Sequence, residues 1–222
     1  MCIRDSLSID NTVVTGASSQ LILMSGEASA DITFTLNLDH VTAHDSTFQP
    51  VAVSATATTG FTHDYTINAY NSAFVDTGAP ITRSGTGTGT NTVVVNGSHN
   101  LHTSASTVNG ALTDNTTDWV DASAGGITTD PTTANAIIVT DLTAGSENLA
   151  LVKPTTGDNL ALDAGSYATE PDSRQDFSRD IRGRARYATN VDIGAFQLTT
   201  AGEGRGEGAV SWPPLWLVHE LV

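Results

Sequence analysis

Leu36-Asn37-Leu38-Asp39-His40-Val41-Thr42-Ala43-His44 is the stretch whose reading decides the fold. Leu36 and Leu38 alternate with polar neighbours, the period of two that marks a strand with one buried face. His40 then stands where that strand must turn, and Val41 to His44 start a second short strand. Three other stretches align beneath it: Leu7 to Thr15, Ile67 to Val75 and Val95 to Thr103. The fifth column of the alignment holds Asn11, His40, Asn71 and His99, at spacings of 29, 31 and 28 residues. Asn tolerates the left-handed backbone that a sharp turn needs. Columns one and three are apolar except for Gly97. Column seven is apolar at Val13, Ala73 and Leu101, with Thr42 as the exception.

A unit of about 30 residues with several short strands cannot bury its own face, but stacked units form a continuous core. Asn side chains in such a stack bond to one another from coil to coil. Leu21 to Met24 and Val51 to Ala57 supply further strand material between the aligned blocks. The expected fold class is therefore all-β, a right-handed parallel β-helix (β-solenoid) with very little α-structure. An antiparallel sandwich is the other arrangement that such alternation allows. In the β-helix, Leu7, Ile9, Leu36, Leu38, Ile67 and Ala69 point inward. Asn11, His40, Asn71 and His99 then stack at successive turns, about 4.8 Å apart. Leu36 to Thr42 resembles the repeat "LxLxHVTxxxN" of pectin-lyase-like β-helix proteins.

Composition agrees with a β-rich chain. Thr makes up roughly one residue in seven and Lys occurs only at Lys153. Thr, Val and Ile favour strands. The net charge of −15 argues against nucleic acid and anionic membrane as partners, since both select basic surfaces. Cys2 is the only cysteine, so no internal disulfide framework exists. Residues 1–6 resemble the translation of a transposon end used in sequencing libraries. They are set aside from fold reasoning as an assembly scar, with the natural start expected upstream.

The second half is less regular. Ser84-Gly85-Thr86-Gly87-Thr88-Gly89-Thr90-Asn91 reads as a flexible loop that bulges from a coil. It lacks the Lys and the following helix of a phosphate cradle. Asp114, Asp118, Asp121 and Asp130, near Trp119, offer oxygen ligands of the kind Ca²⁺ takes. Their spacing fits neither an EF-hand nor a nonapeptide Ca²⁺ repeat, so they are read as a solvated acidic loop, and no cofactor is expected.

Three blocks near the end stand in a telling order: Leu160-Ala161-Leu162-Asp163-Ala164-Gly165, then Arg179-Asp180-Ile181-Arg182-Gly183-Arg184-Ala185-Arg186, then Val191-Asp192-Ile193-Gly194-Ala195-Phe196-Gln197. They resemble the closing segment of bacterial cell-surface β-helix proteins called the choice-of-anchor Q group, "AIDAG… D-RG-PR … VDIGA-(F/Y)-E". Ala185 replaces a frequent Pro and Gln197 a frequent Glu. The resemblance implies that residues 7–197 form the β-helix with its closing segment, and that the protein is secreted or held at the cell surface. Arg174, Arg179, Arg182, Arg184 and Arg186 interleave with Asp172, Asp176 and Asp180, flanked by Asp163 and Asp192. Arg pairs well with carboxylates, so this run is read as a structural network rather than a site for an acidic glycan. Residues 198–222 read as a Gly-rich linker and a poorly ordered tail, whose apolar piece from Trp212 to Val218 is too short to span a bilayer.

The histidines are His40, His44, His63, His99, His102 and His219, with Asp39, Asp45 and Asp64 near the first three. Such groups suit acid–base chemistry or metal. His40 and His99 occupy the turn column, however, which makes them structural first. Pectin-degrading relatives of the resembled fold carry Asn-Thr-Asp, Asp-Asp, Gly-His-Gly and Arg-Ile-Lys motifs, and none occurs here. No Arg or Lys falls between Arg4 and Arg83. The expectation is a non-catalytic surface protein for adhesion or carbohydrate contact, with no catalytic, cofactor-binding or metal residues. Its expected partner is an extracellular polysaccharide or a cell-surface protein. The alternative is the C-terminal part of a polysaccharide lyase or glycoside hydrolase whose catalytic coils lie upstream.

Overall fold

The structure is a computed structural model and describes residues 2–16, 20–45, 49–104, 108–110, 112–144, 146–166, 179–184, 186 and 191–198. The first coil holds β1 (Cys2–Asp10), β2 (Val13–Thr15) and β3 (Ile22–Ser25). The second holds β4 (Asp31–Asp39), β5 (Thr42–His44) and β6 (Val51–Ser54), and the third β7 (Thr62–Tyr70), β8 (Ala73–Val75) and β9 (Ile81–Ser84). The fourth holds β10 (Thr90–Ser98), β11 (Leu101–His102) and β12 (Val108–Asn109). After it come β13 (Thr113–Thr117) and β14 (Val120–Asp121). Equivalent strands pair in parallel into three sheets: β1-β4-β7-β10-β13, β2-β5-β8-β11-β14 and β3-β6-β9-β12. This is a parallel β-helix, and no described residue is helical.

The repeat sets the register. Leu7, Leu36 and Ile67 pair in one row, as do Ile9, Leu38 and Ala69. Leu36, Leu38, Ile67 and Ala69 are buried in the lumen with Val51, Val53, Tyr65, Phe74 and Val95. Leu7 departs from expectation. It lies in the same inward row but is 42% exposed, because no described coil lies beneath β1. Residues 2–6, set aside on sequence grounds, continue β1 in register with residues 31–35.

The turn column holds. Asn11, His40, Asn71 and His99 have φ of 45° to 53° and follow one another at successive coils, where Asn11 N donates to Asp39 O and His40 N to Tyr70 O. Among the described residues, every non-glycine with positive φ is Asn, Asp or His. These are the side chains that bear the left-handed region at least cost. Asp118, read as part of an acidic loop, is the fifth member of this column, with φ 54°. The second corner, after β2, β5 and β8, is made by Gly16, Asp45 and Asp76.

The residues that stack by hydrogen bonds are not those of the turn column. They are the outward second column, where Asn37 Nδ2 donates to Ser8 Oγ (3.2 Å), Asn68 to Asn37 (2.8 Å), Asn96 to Asn68 (3.0 Å) and Asn115 to Asn96 (3.1 Å). Outward side chains on parallel strands lie one above the next, whereas a left-handed corner turns its side chain along the chain path.

The Gly-rich stretch does not bulge. Residues 84–91 lie flat against residues 55–61 of the coil beneath. Ala55 N donates to Ser84 O, Gly89 N to Ala57 O and Thr90 N to Phe61 O. A Cβ on Gly87 would stand 2.4 Å from Ala57 O, and one on Gly89 2.2 Å from Thr58 O. Glycine is needed here for close backbone approach, not for flexibility.

Beyond β14 the chain does not extend the stack. β15 (Ile127–Thr128), β16 (Ile137–Asp141) and β17 (Asn148–Leu151) form a small mixed sheet. A second core joins Ile137, Val139, Leu149, Leu151, Ala161 and Ile193 to Ala73, Val75 and Leu101. β8 thus buries both faces, with Phe74 toward the lumen and Ala73 and Val75 toward this flanking layer. The closing segment seals the side of the helix rather than its end. The end carries Trp119, stacked 5.8 Å from Phe74.

Candidate functional site

The outward face of the first sheet carries exposed and half-buried side chains at alternate positions. Strand alternation sends Thr33, Thr35 and Asn37 outward from β4, Asp64, Thr66, Asn68 and Tyr70 from β7, and Thr92, Val94 and Asn96 from β10, while Asp39 and Ser98 at the strand ends are buried. In register, these side chains form rows along the axis at strand spacing. The asparagine ladder spends one donor and one acceptor per interior residue on its neighbours, leaving a second of each for other partners. Burial, then the Asp39 carboxylate, push the Tyr70 hydroxyl above its ordinary pKa, so it stays a neutral donor.

The histidines do not assemble. His40 Nδ1 lies 2.8 Å from Asp39 Oδ1, and both are buried. Burial, then the nearby Arg186 guanidinium, hold the His40 pKa well below its usual value, which keeps the ring neutral. His63 and Asp64 point to opposite faces. His63 is in the lumen, donates from Nε2 to Glu27 O (3.2 Å) and stands edge-on to Tyr65. His44 Nε2 reaches Asp76 Oδ2 at 3.8 Å. His99 Nδ1 contacts Ser98 Oγ, and His102 Nδ1 donates to Ser104 O at 2.8 Å. His219 lies outside the described residues.

The acidic residues weighed as Ca²⁺ ligands serve their own turns. Asp114, Asp121 and Asp130 accept from the backbone N–H and, at Asp114 and Asp130, also the hydroxyl of Thr116, Ser123 and Thr132 respectively. Asp141 does the same with Thr143. These are Asx-turns. Hydrogen bonding by the residue two positions on lowers the pKa of Asp121, Asp130 and Asp141. Among the described residues, no three His, Cys, Asp or Glu side chains come together as metal ligands.

The Arg/Asp run forms a structural knot. Asp180 is buried and accepts from the backbone of Arg182, Arg184 and Gln197. Arg182 lies over the Phe196 ring at 4.9 Å, and Arg179 donates to Gly183 O. Arg186 is buried and donates to Asn11 Oδ1 (2.9 Å), Gly194 O (3.0 Å) and Asp192 O (3.4 Å). Asp192 accepts from Asp163 N (2.9 Å) and Leu198 N (2.6 Å). Burial, only partly offset by these bonds, raises its pKa to about 6. Gln197 Oε1 accepts from Asp192 N at 3.2 Å. Arg174, Asp172, Asp176 and Ala185 lie outside the described residues.

Sequence reasoning missed why column seven breaks at Thr42. Its hydroxyl accepts from Ala195 N at 2.9 Å, and a Cβ on Gly194 would stand 2.6 Å from the same oxygen. Thr42 is therefore the socket for the Val191–Gln197 block.

Comparison with known protein families, with curated proteins and with solved structures finds no match to this chain. Among the described residues no helix is long and apolar enough to cross a membrane, which says nothing of spanning by strands.

Proposed function

We propose that this chain is part of a secreted or cell-surface β-helix protein of the pectin-lyase-like kind, akin to the choice-of-anchor Q group, that contacts carbohydrate without turning it over. The observation that carries the reading is the outward face of the first sheet. There Thr33, Thr35, Thr66 and Thr92 hydroxyls, the asparagine ladder and Tyr70 repeat in register on a rigid support. Hydroxyls and amides that both donate and accept suit the hydroxyl-rich surface of a sugar chain, and a partly exposed Tyr ring offers a face for a pyranose. The buried Arg/Asp knot supports a structural part for the closing segment.

The test is retention of the full chain on a panel of immobilised neutral and acidic polysaccharides. The paired variant Thr35→Asp/Thr66→Asp is compared with Thr128→Asp, a control on β15. Retention by at least one polysaccharide, weakened about tenfold by the paired variant alone, supports the reading; tenfold corresponds to about 1.4 kcal/mol. Retention that ignores the paired variant sinks it. Release of new reducing or unsaturated ends from any member of the panel would make the chain an enzyme instead.

A further inference from the structure

The outward face of the first sheet is one-sided in charge. From β4 to β13 its outward positions hold Asp31, Asp39 and Asp64 and no Lys or Arg. Asp39 is buried beside His40. Asp31 is exposed, and its Oδ1 accepts from Thr62 N at 2.8 Å. Asp64 is half-buried, with Thr33 beside it on one neighbouring strand and Thr92 on the other. Its carboxylate makes no hydrogen bond or ion pair with a described residue. Arg83, which lines a groove with Thr92, belongs to the third sheet and already has a partner.

An unpaired carboxylate on a contact face acts on a ligand in two ways. It only accepts hydrogen bonds, so it forms a charge-assisted bond with a sugar hydroxyl and none with a second carboxylate. It also repels a second carboxylate at contact distance. One group thus favours neutral chains and disfavours acidic ones, which is specificity by attraction and repulsion together. The Thr hydroxyls and the asparagine ladder around it discriminate little. They both donate and accept, and so serve either class of glycan.

We propose that this face takes neutral polysaccharide and excludes carboxylated chains, with Asp64 as the residue that sets the preference. The inference rests on the carbohydrate reading above and adds the class of glycan to it. The net charge of −15 acts in the same direction, but at long range and without regard to position, so the two contributions separate in an experiment.

The probes are matched pairs that share a backbone and differ in charge: hydroxyethylcellulose with carboxymethylcellulose, dextran with carboxymethyl dextran, and methyl-esterified with de-esterified homogalacturonan. Retention of the full chain is measured by affinity electrophoresis at low and high ionic strength. The unaltered protein is compared with Asp64→Asn and with Asp158→Asn, which removes the same charge from an exposed position beside the Ala136–Asn159 bridge of the flanking layer. In at least one pair the neutral member should bind about tenfold more tightly at low ionic strength. High salt should shrink that gap, because it screens exposed charges. Asp64→Asn should narrow the gap about threefold, whereas Asp158→Asn should leave it in place. The comparison within each pair stands on the unaltered protein, whether or not Asp64→Asn folds. Carboxylated members bound as tightly as the neutral ones overturn the proposal and leave the carbohydrate reading standing. So does a gap that both variants change alike, which assigns the preference to net charge. Retention by none of the polymers overturns the proposal and the carbohydrate reading together.

Discussion

Replacing Asn68 by Ala removes the middle of the asparagine ladder. Asn68 gives one hydrogen bond to Asn37 Oδ1 at 2.8 Å and takes one from Asn96 Nδ2 at 3.0 Å. Each such bond contributes about 0.5–1.5 kcal/mol net, and water reaches the partly exposed neighbours left behind, so the loss should total about 1–2 kcal/mol. Asn115→Ala loses one bond of 3.1 Å at the exposed end of the ladder and should cost about 0.5 kcal/mol. The assay is urea denaturation followed by far-UV circular dichroism, with midpoints compared at constant slope. A gradient from the interior to the end is the signature of a stack whose bonds are shared between coils. Equal costs for Asn68→Ala and Asn115→Ala, or no cost for the first, would refute the reasoning.

The remaining tests address packing and charge. Gly87→Ala drives a Cβ to 2.4 Å from Ala57 O, and because backbone cannot rotate away it should cost about 1–3 kcal/mol in the same assay, despite raising strand propensity. Thr42→Val keeps the shape but strips the acceptor from Ala195 N–H, a buried contact, and should cost about 1–3 kcal/mol. Asp192 titrates in the folded chain at about 6, above the ordinary 3.8, so the fold favours its protonated form. Its contribution is therefore most favourable below pH 3.8, and about 3 kcal/mol is lost as pH rises to above 6. His40 acts oppositely, since its lowered pKa makes the fold lose stability as pH falls below 6.5. The difference in stability between the natural chain and Asp192→Asn isolates the first effect. It should fall from pH 4 to pH 7.5, and a flat difference would show that Asp192 does not titrate in this range.

What the sequence made legible follows from which interactions are written locally. Alternation at Leu36, Leu38, Ile67 and Ala69 reports a buried face directly, and Asn or His at a corner reports a left-handed backbone. The fifth copy of the repeat was hidden for a physical reason. At the last strand of the first sheet the inward row is filled by Asp114 and Thr116, because no described strand stacks above them, so the apolar signal vanishes where the corner residue Asp118 persists. Glycine misled in the same way. The composition of residues 84–91 reads as flexible, yet the tightness lies against backbone about 30 residues earlier, which no local pattern records. The Arg/Asp run was legible as structural because Arg pairs well with carboxylates. Its anchor points on Asn11, Thr42 and Asn71 were not, because they lie more than 90 residues away in the chain.

Those anchor points explain why the closing segment packs on the side. Arg186 holds Asn11 of the first coil, Ala195 holds Thr42 of the second, and Gly194 N and Ser166 hold Asn71 of the third. A solenoid is stabilised mainly by nearest-neighbour contacts, so its coils tend to loosen one at a time from an end. A single segment that bonds to three successive coils sets their spacing together and makes separating any two of them cost contacts at the third. Cover at the end of the stack does only half of this work, since Trp119 protects the last coil and leaves the first to itself. The choice of anchor residues fits the same logic. Asn11 and Asn71 stand at left-handed corners whose N–H groups bond to the next coil, and the closing segment takes their side-chain oxygens, the Asn71 carbonyl and the Thr42 hydroxyl. Two of the three anchors, Asn11 and Asn71, thus belong to the column that makes the turn, and Thr42 follows two residues after another member, His40.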